Sequence, residues 1–594
     1  MGILGKIKRN IVFAAKLRGI LKLTKDIQPE SAVTVADEIE ASVDRSPNKT
    51  ALIFEGQSLT FSELDARANQ VAHWALEQGF EPGDTIALIL ENCPDFVAVW
   101  FGLSKIGVVT ALINTNLEGA GLAHCINIVD SKAIIAAGEQ AGRAKAILPD
   151  LDGDMAVWDF DGPSGKDMAD ALSSASTARP DPGLRSHLRG SDTCLFIYTS
   201  GTTGLPKAAK ITQMRFRGMA RTAIALCGIN SSDRVYNVLP LYHTTGGGLG
   251  MLGALHVGAT TILRRKFSAS AFWDDVAEHG ATLFVYIGEL CRYLLNAEPH
   301  PKETAHQLRA GYGNGLRGEV WAPFVERFHV PTMREIYGST EGNVAFLNLD
   351  GTVGAIGQMP TWLDKKVGVA IVKFDIIEEM PIRDTKGFCI KADADEVGEA
   401  LGRIGTSGRE AFSGYHEKAA TKSKILTDVF EPGDRWFRTG DLIRRDGDGY
   451  VYFIDRVGDT FRWKGENVAT NEVSDALSKY PGVSLANVYG VAVPHTEGKA
   501  GMAAITVSEN FDISGLQDHL AVHLPAYAIP LFIRIQPEAE TTGTFKFRKV
   551  GLVNEGFDIG EIEDPLWFLD PEDSGYVQLE PTGLDRINDG DYRF

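Results

Sequence analysis

The chain has 594 residues, 44% of them hydrophobic and 23% charged, with a formal net charge of −19. That length is too great for one core and implies two or more domains; the composition is globular, and the negative balance excludes general nucleic-acid binding. Six scattered Cys with no C-x-x-C pair exclude a disulfide or zinc framework and fit a reducing compartment, and no apolar run reaches the ~18 residues that a spanning helix needs.

The first 25 residues, "MGILGKIKRNIVFAAKLRGILKLTK", carry seven Lys or Arg and no acid before Asp26. Leu4, Ile7, Ile11, Ala14 and Leu21 recur at helical spacing, which predicts a basic amphipathic helix. Such a helix lies in a membrane interface with its cations toward anionic lipid, or it packs on its own domain. Charges interrupt the apolar stretch and no small-residue cleavage site is clear, which argues against a signal peptide. Lys6 breaks the myristoylation pattern.

From about residue 45 to 135, short apolar runs alternate with helical patterns. "TALIFEGQSLT" predicts a hairpin, "FSELDARANQVAHWALEQ" a helix capped by Ser62, "DTIALILEN" a buried strand, "PDFVAVWFGLSKIG" a helix and "VVTALIN" another strand. This βαβ rhythm implies a layered α/β domain. Residues 163–191, rich in Ser, Pro, Ala, Asp and Gly, read as a surface connection.

"CLFIYTS" is a buried-strand pattern that runs into "YTSGTTGLPKAAK". Glycines let backbone approach an anion, hydroxyls and amides donate to it, and Lys adds charge, so the loop suits a phosphate. It lacks the Gly-Lys pair of a P-loop. Further on, "DGDGY" separates two strand-like runs, and "DRVGD" breaks the pattern at Gly458. "TNEVSDALSKY" then reads as a helix, and "ANVYGVAV" and "MAAITV" as strands. These compose a small α+β domain with its boundary near 455–459.

Four separated motifs resemble one family, the adenylate-forming acyl-CoA synthetases, which include luciferases and peptide-synthetase adenylation domains. They are "YTSGTTGLPK", "YGSTEG" at 337–342, "FRTGD" at 437–441 and "TGTFKFRK" at 542–549, and the resemblance spans about residues 33–560. "GYGNGLRGEVW", "DTFRWKGENVATNEV", "EGKAGMAA" and "LPAYAIPLFIRI" are similar to the fatty acid transport protein, or very-long-chain acyl-CoA synthetase, branch. His495 stands where that branch usually has Gly. The implied fold is a large adenylation domain of layered α/β subdomains (33–457) with a small mobile α+β C-terminal domain (458–594), preceded by the basic segment 1–32.

The resemblance implies a reaction in two halves. A carboxylate attacks the α-phosphate of ATP to give acyl-AMP and pyrophosphate, and the CoA thiol then expels AMP. Such chemistry needs positioning and charge neutralisation more than a protein nucleophile. By the same resemblance Thr199, Ser200, Gly201, Thr202, Thr203, Gly204 and Lys207 cradle the β- and γ-phosphates, with Tyr198 at the start of that loop. Tyr337 and Gly338 meet the adenine on one side, and Gly313, Asn314 and Gly315 on the other. Thr340 contacts the α-phosphate, and Glu341 with Thr202 holds Mg²⁺. Asp441 binds the ribose hydroxyls, and Arg456 reaches the ribose or phosphate. Lys546 bridges carboxylate and α-phosphate; the residues alone leave Lys549 as its rival, and position after "TGTF" selects Lys546. His243 in "LPLYHTTGGG" lies by the acyl pocket, where its glycines leave room for acyl or pantetheine. Gly458 is the hinge, and its rotation brings Lys464 and Gly465 to the pantetheine path.

The substrates so implied are a long or very long fatty acid, ATP and CoA, in a cytoplasmic protein held peripherally on the inner face of a membrane by its N-terminal helix. The competing readings are a ligase for another acid such as a bile acid, an acyl-AMP synthetase that serves a carrier protein, and a fatty-acid transport or binding protein with little ligase activity.

Overall fold

Near-continuous apolar runs such as Thr85–Ile89, buried at every position, form strands covered on both faces, the signature of parallel sheets. The computed structural model describes all residues except 1–2, 163–164, 200–204, 365–366, 377, 406–409, 540–548, 573–574 and 593, with backbone alone for 3–8. The chain divides into two compact units. One is Met1–Gly368 with Gly402–Thr427 and Asp434–Phe437; the other is Val369–Leu401 with Asp428–Gly433 and Arg438–Phe594.

The first unit holds two large sheets. One runs, in spatial order, Ala345–Leu347, Met333–Gly338, Ala310–Asn314, Leu283–Ile287, Arg234–Asn237, Thr260–Leu263, Thr50–Phe54 and Gln57–Thr60. Its edge pairs are antiparallel and its interior pairs parallel. The other runs Lys166–Asp167, Ala156–Asp159, Ser131–Ala136, Thr85–Ile89, Val109–Leu112, Thr193–Thr199 and Lys207–Thr212, parallel except for the last pair. One apolar core joins both sheets through helices Phe61–Glu77 and Pro94–Lys105. Separate cores lie under the other helices of the two sheets. This is the layered α/β arrangement expected.

Three local expectations change. The helix expected to be capped by Ser62 starts at Phe61, and Thr60 caps it in a reciprocal box with Glu63, the T-x-x-E arrangement that satisfies two amides at once. The connection 163–191 contains a helix, Met168–Ser174, and the buried Arg185, which pairs with Asp37 and Glu40. The N-terminal helix Ile3–Leu23 packs on the helix Gln213–Cys227 and buries Phe13 and Ile20 in the core that also holds Ala223, Ile224 and Cys227, with Leu17 partly covered. The docked stripe is therefore 13–17–20, and Ile11, assigned to the apolar stripe from spacing, is 64% exposed beside Val12 at 44%. Because every apolar residue of this helix can serve either partner, spacing alone did not say which stripe the protein takes.

The second unit contains a sheet in the order Tyr450–Arg456, Arg435–Arg445, Val397–Arg403, Val369–Asp375 and Met380–Pro381. The division places residues 369–401 and 438–457 with the C-terminal part, whereas the sequence put the boundary near 455–459. The C-terminal part is α+β. Its strands Val483–Val491, Ala500–Val507, Phe532–Ile535, Leu566–Leu569 and Tyr576–Gln578 form one sheet. Helices Thr470–Leu477, Leu516–His523 and Pro581–Asp589 contribute Leu477, Leu520 and Ile587 to its core.

Candidate functional site

The hydroxyl-rich loop connects two antiparallel strands. Thr193–Thr199 leads into it and Lys207–Thr212 leads out, with Thr199 opposite Lys207. Ser200, Gly201, Thr202, Thr203 and Gly204 lie outside the described residues, and with them both roles expected of Thr202. Tyr198 is 6% exposed and donates its hydroxyl hydrogen to the Cys125 carbonyl (2.5 Å), so its ring anchors the strand in the core and leaves only its backbone to the loop.

"YGSTEG" turns the chain between strands Met333–Gly338 and Ala345–Leu347, with Tyr337 opposite Phe346. The Tyr337 ring is half-exposed and backed by Phe346 at 5.5 Å, Gly338 is exposed and Thr340 half-buried. Glu341 is 7% exposed, and Tyr415 Oη donates to its Oε1 at 2.8 Å. Burial and the Glu341 carboxylate push the Tyr415 phenol upward, while a hydrogen bond with Thr199 works the other way. The phenol thus links the strand that feeds the loop to the carboxylate. Lys207 Nζ lies 5.9 Å from the Tyr415 ring, within cation–π range. Arg215 donates through Nη2 to the Ser339 carbonyl (2.6 Å). Burial lowers its pKa and Glu341 opposes that, so a guanidinium faces the carboxylate from the Gln213–Cys227 helix.

Gly313, Asn314 and Gly315 end the strand Ala310–Asn314 and continue past it, next to the Tyr337 strand in parallel register. A Cβ on Gly313 would stand 1.8 Å from the Tyr286 carbonyl, so this strand and its other neighbour, Leu283–Ile287, close up only around glycine. Thr245 Oγ1 donates to Asn314 Oδ1 at 2.8 Å. That bond ties this edge to the segment that His243 precedes, a π-helix over Thr244–Leu252. The half-buried His243 ring lies 4.6 Å from Tyr242. The glycines after it do not open room as expected: Cβ atoms on Gly246 and Gly247 would meet the Pro240 and Leu241 carbonyls at 2.4 and 2.5 Å. The space their side chains would take is occupied by the backbone of the preceding segment, Leu239–Leu241.

In the second unit Asp441 and Arg456 face each other across the ladder, 3.7 Å apart. The Asp441 strand is held by Glu399, fully buried, which accepts from Arg438 Nε and Nη2 (3.1 and 2.9 Å) and from the Gly440 amide (3.1 Å). Lys464 and Gly465 form the exposed two-residue turn between strands Phe461–Trp463 and Glu466–Val468, with φ of 52° and 82°. Positive φ at both positions is what such a tight hairpin needs. Gly458 has φ of 92° and open space around it. Lys546 lies outside the described residues. Its rival Lys549 is committed to Asp459 (3.2 Å) and Thr470 Oγ1 (3.1 Å). His495 takes φ of 62° and its Nε2 lies 3.0 Å from the Asn588 carbonyl. Gly reaches that backbone conformation at no steric cost, which accounts for Gly as the usual residue there.

Sequence reasoning missed Tyr415, Arg215, Glu399 and Arg438. "FSGYHEKAAT" and "QMRFRGM" offered no local signal, because each acts on a partner 39 to 124 positions away. Among the described residues no cluster of three or more His, Cys, Asp or Glu could cage a metal. A single buried carboxylate fits Mg²⁺ bound mainly by phosphate oxygens and water, and Glu341 is such a group.

The AMP-binding enzyme family matches residues 39–416, and the AMP-binding enzyme C-terminal domain matches residues 472–546. Long-chain fatty acid transport protein 6 of Mus musculus is 42% identical over 557 residues, 92% of this chain and 89% of its own. Long-chain fatty acid transport protein 2 of Rattus norvegicus is 41% identical over 545 residues, 90% of this chain and 87% of its own. Among solved structures, a benzoate CoA ligase from Burkholderia xenovorans LB400 superposes with a TM-score of 0.73 at 21% identity, over 88% of this chain and 100% of that one, a likeness of fold.

Proposed function

As a member of the AMP-binding enzymes and, within them, of the long-chain fatty acid transport protein branch, the chain is an ATP-dependent acyl-CoA synthetase, and we propose that it joins long- or very-long-chain fatty acids to CoA. The observation that carries the site assignment is the Thr199–Tyr415–Glu341 chain with Arg215 beside it, which sets a carboxylate and cations at the base of the phosphate loop. The chain-length assignment is supported by the relatives, whose names specify long-chain fatty acids.

In this reading the fatty carboxylate, already ionised near neutral pH, attacks the α-phosphorus and expels pyrophosphate. The thiol of CoA then attacks the acyl carbon, the C–O bond to AMP breaks, and AMP leaves with the electron pair. Lys207 and the loop 199–204 hold the β- and γ-phosphates, Thr340 the α-phosphate, and Lys546 neutralises the charge that develops between carboxylate and phosphate. Tyr337 and the edge 313–315 bracket the adenine, and Asp441 with Arg456 holds the ribose. Glu341 would hold Mg²⁺, which supplies charge neutralisation on the phosphate oxygens.

Among the described residues no helix is long and apolar enough to cross a membrane. A peripheral attachment to the inner membrane face is supported by the N-terminal helix, whose undocked side carries Ile11, Val12, Arg18 and Lys22 together. Trapping the acid as its CoA ester would couple such an enzyme to uptake without a channel.

The test is pyrophosphate release with ATP, Mg²⁺ and acids of graded chain length, with and without CoA, in wild type and Lys546→Ala. Release that needs a long-chain acid, turns over with CoA and disappears in Lys546→Ala is expected. Release with only short, aryl or bile acids would overturn the substrate assignment, and none with any acid would favour a transport or binding protein.

A further inference from the structure

Glu335 lies in the strand Met333–Gly338, is 1% exposed, and has no part in the reaction as described above. Its Oε1 accepts from the amides of Gly315 and Leu316, and its Oε2 lies 2.8 Å from Tyr286 Oη. The same Tyr286 oxygen lies 2.9 Å from the Arg334 carbonyl. A phenol has one hydrogen, and a carbonyl can only accept. If Glu335 were ionised, two acceptors would share one hydrogen, and one contact would set lone pairs against lone pairs. A neutral Glu335 satisfies every contact: its O–H donates to Tyr286, Tyr286 donates to Arg334, and the second carboxyl oxygen takes the two amides, of which Leu316 also lies 3.3 Å from the hydroxyl oxygen, still an acceptor. Buried polar groups are costly unless matched in this way.

We propose that Glu335 is a positioning residue that works as a neutral carboxylic acid, clamping residues 313–316 through Gly315 and Leu316 and holding them in the ATP-binding form only while its proton is in place. The link to ATP rests on the reading of 313–315 as the adenine edge. Burial acts in the same direction and pushes the Glu335 carboxyl up to about 8, against the pull of Tyr286 and the two amides. The groups nearest it, Tyr286 on the strand Leu283–Ile287 and Cys291 on the helix Gly288–Asn296, are both raised by burial and by Glu335 itself and stay neutral at pH 7; Cys227, also raised by burial, lies beyond them, and Glu289 on the same helix is paired with Arg292. Arg334, next along the strand, lays its guanidinium toward Gly351. Since the folded pKa is raised, the proton is held at pH 7 and lost as pH passes about 8. Ionisation then turns Oε2 from donor to acceptor, so Oε2 and the Arg334 carbonyl compete for the one Tyr286 hydrogen; the repulsion shifts Glu335, and the Gly315 and Leu316 amides that it holds shift with it.

The experiment combines infrared difference spectra of wild type against Glu335→Gln with the pH dependence of the KM for ATP in pyrophosphate release, using the full chain. Gln replaces the O–H by N–H and keeps the acceptor. Wild type should show a protonated-carboxyl band that fades near pH 8, with the KM for ATP rising roughly tenfold over the same range. Glu335→Gln should lack both changes and keep its KM within about twofold of wild type at pH 7, whereas Glu335→Leu, which cannot donate, should raise it at every pH. A missing band, or a tenfold higher KM in Glu335→Gln at pH 7, would overturn the neutral clamp. A band that titrates while the KM for ATP stays flat would overturn the link to ATP and point to the adenine reading as the failed step.

Discussion

Replacing Tyr415 by Phe removes one oxygen and leaves the ring. Tyr415 is 5% exposed and donates to Glu341 at 2.8 Å, so the bond lies between a buried phenol and a buried carboxylate. A hydrogen bond to an ionised group contributes about 1.5–3 kcal/mol, which at ~1.4 kcal/mol per tenfold is roughly 10- to 150-fold. The ring stays under Lys207, so that contact survives and the loss falls on Glu341. Because Glu341 is assigned to the Mg²⁺ of ATP, the half-saturating Mg²⁺ concentration in pyrophosphate release should rise by about that factor. A thermal melt run alongside separates this from unfolding. Unchanged Mg²⁺ dependence with an intact fold would refute the reasoning, since it would mean that Glu341 needs no fixed orientation or does not meet the metal.

Lys549→Ala should cost adenylation less than about fivefold, the value of a partly exposed ion pair, while Lys546→Ala abolishes it; the same pyrophosphate assay compares them. Glu399→Ala should lower stability by about 3–5 kcal/mol, because it strands Arg438 beside a buried void, and weaken ATP binding through the loosened Asp441 strand; calorimetry reads both. Gly458→Pro demands φ near −65° where the chain holds 92°, and should slow thioester formation more than adenylation in half-reaction assays; equal losses would count against a hinge there. Ile11→Glu with Val12→Glu should reduce binding to anionic vesicles and leave the melting temperature unchanged, since both residues are exposed; equal vesicle binding would defeat the membrane role of this helix.

Much of the protein was determined by the sequence alone, wherever cause and effect are neighbours in the chain. The strand Thr193–Thr199 and its loop, the hairpin turn at 446–449 and the turn at 55–56 follow from local apolar runs and from residues at positive φ such as Gly56 and Gly449. The four motifs are contiguous, so their order could be read directly. Only the tertiary structure decided which stripe of the N-terminal helix is docked, and that Gly246 and Gly247 lie against the backbone of Leu239–Leu241; the Thr60 cap, by contrast, is a local T-x-x-E pattern that the sequence carries. It alone brought Tyr415 to Glu341 across 74 positions, Tyr286 to Glu335 across 49 and Arg438 to Glu399 across 39. Periodicity reports which face a residue presents, but strand order and register decide whom it meets. Those are set by packing of the whole core, so the groups that orient the site's carboxylates leave no mark in the residues beside them.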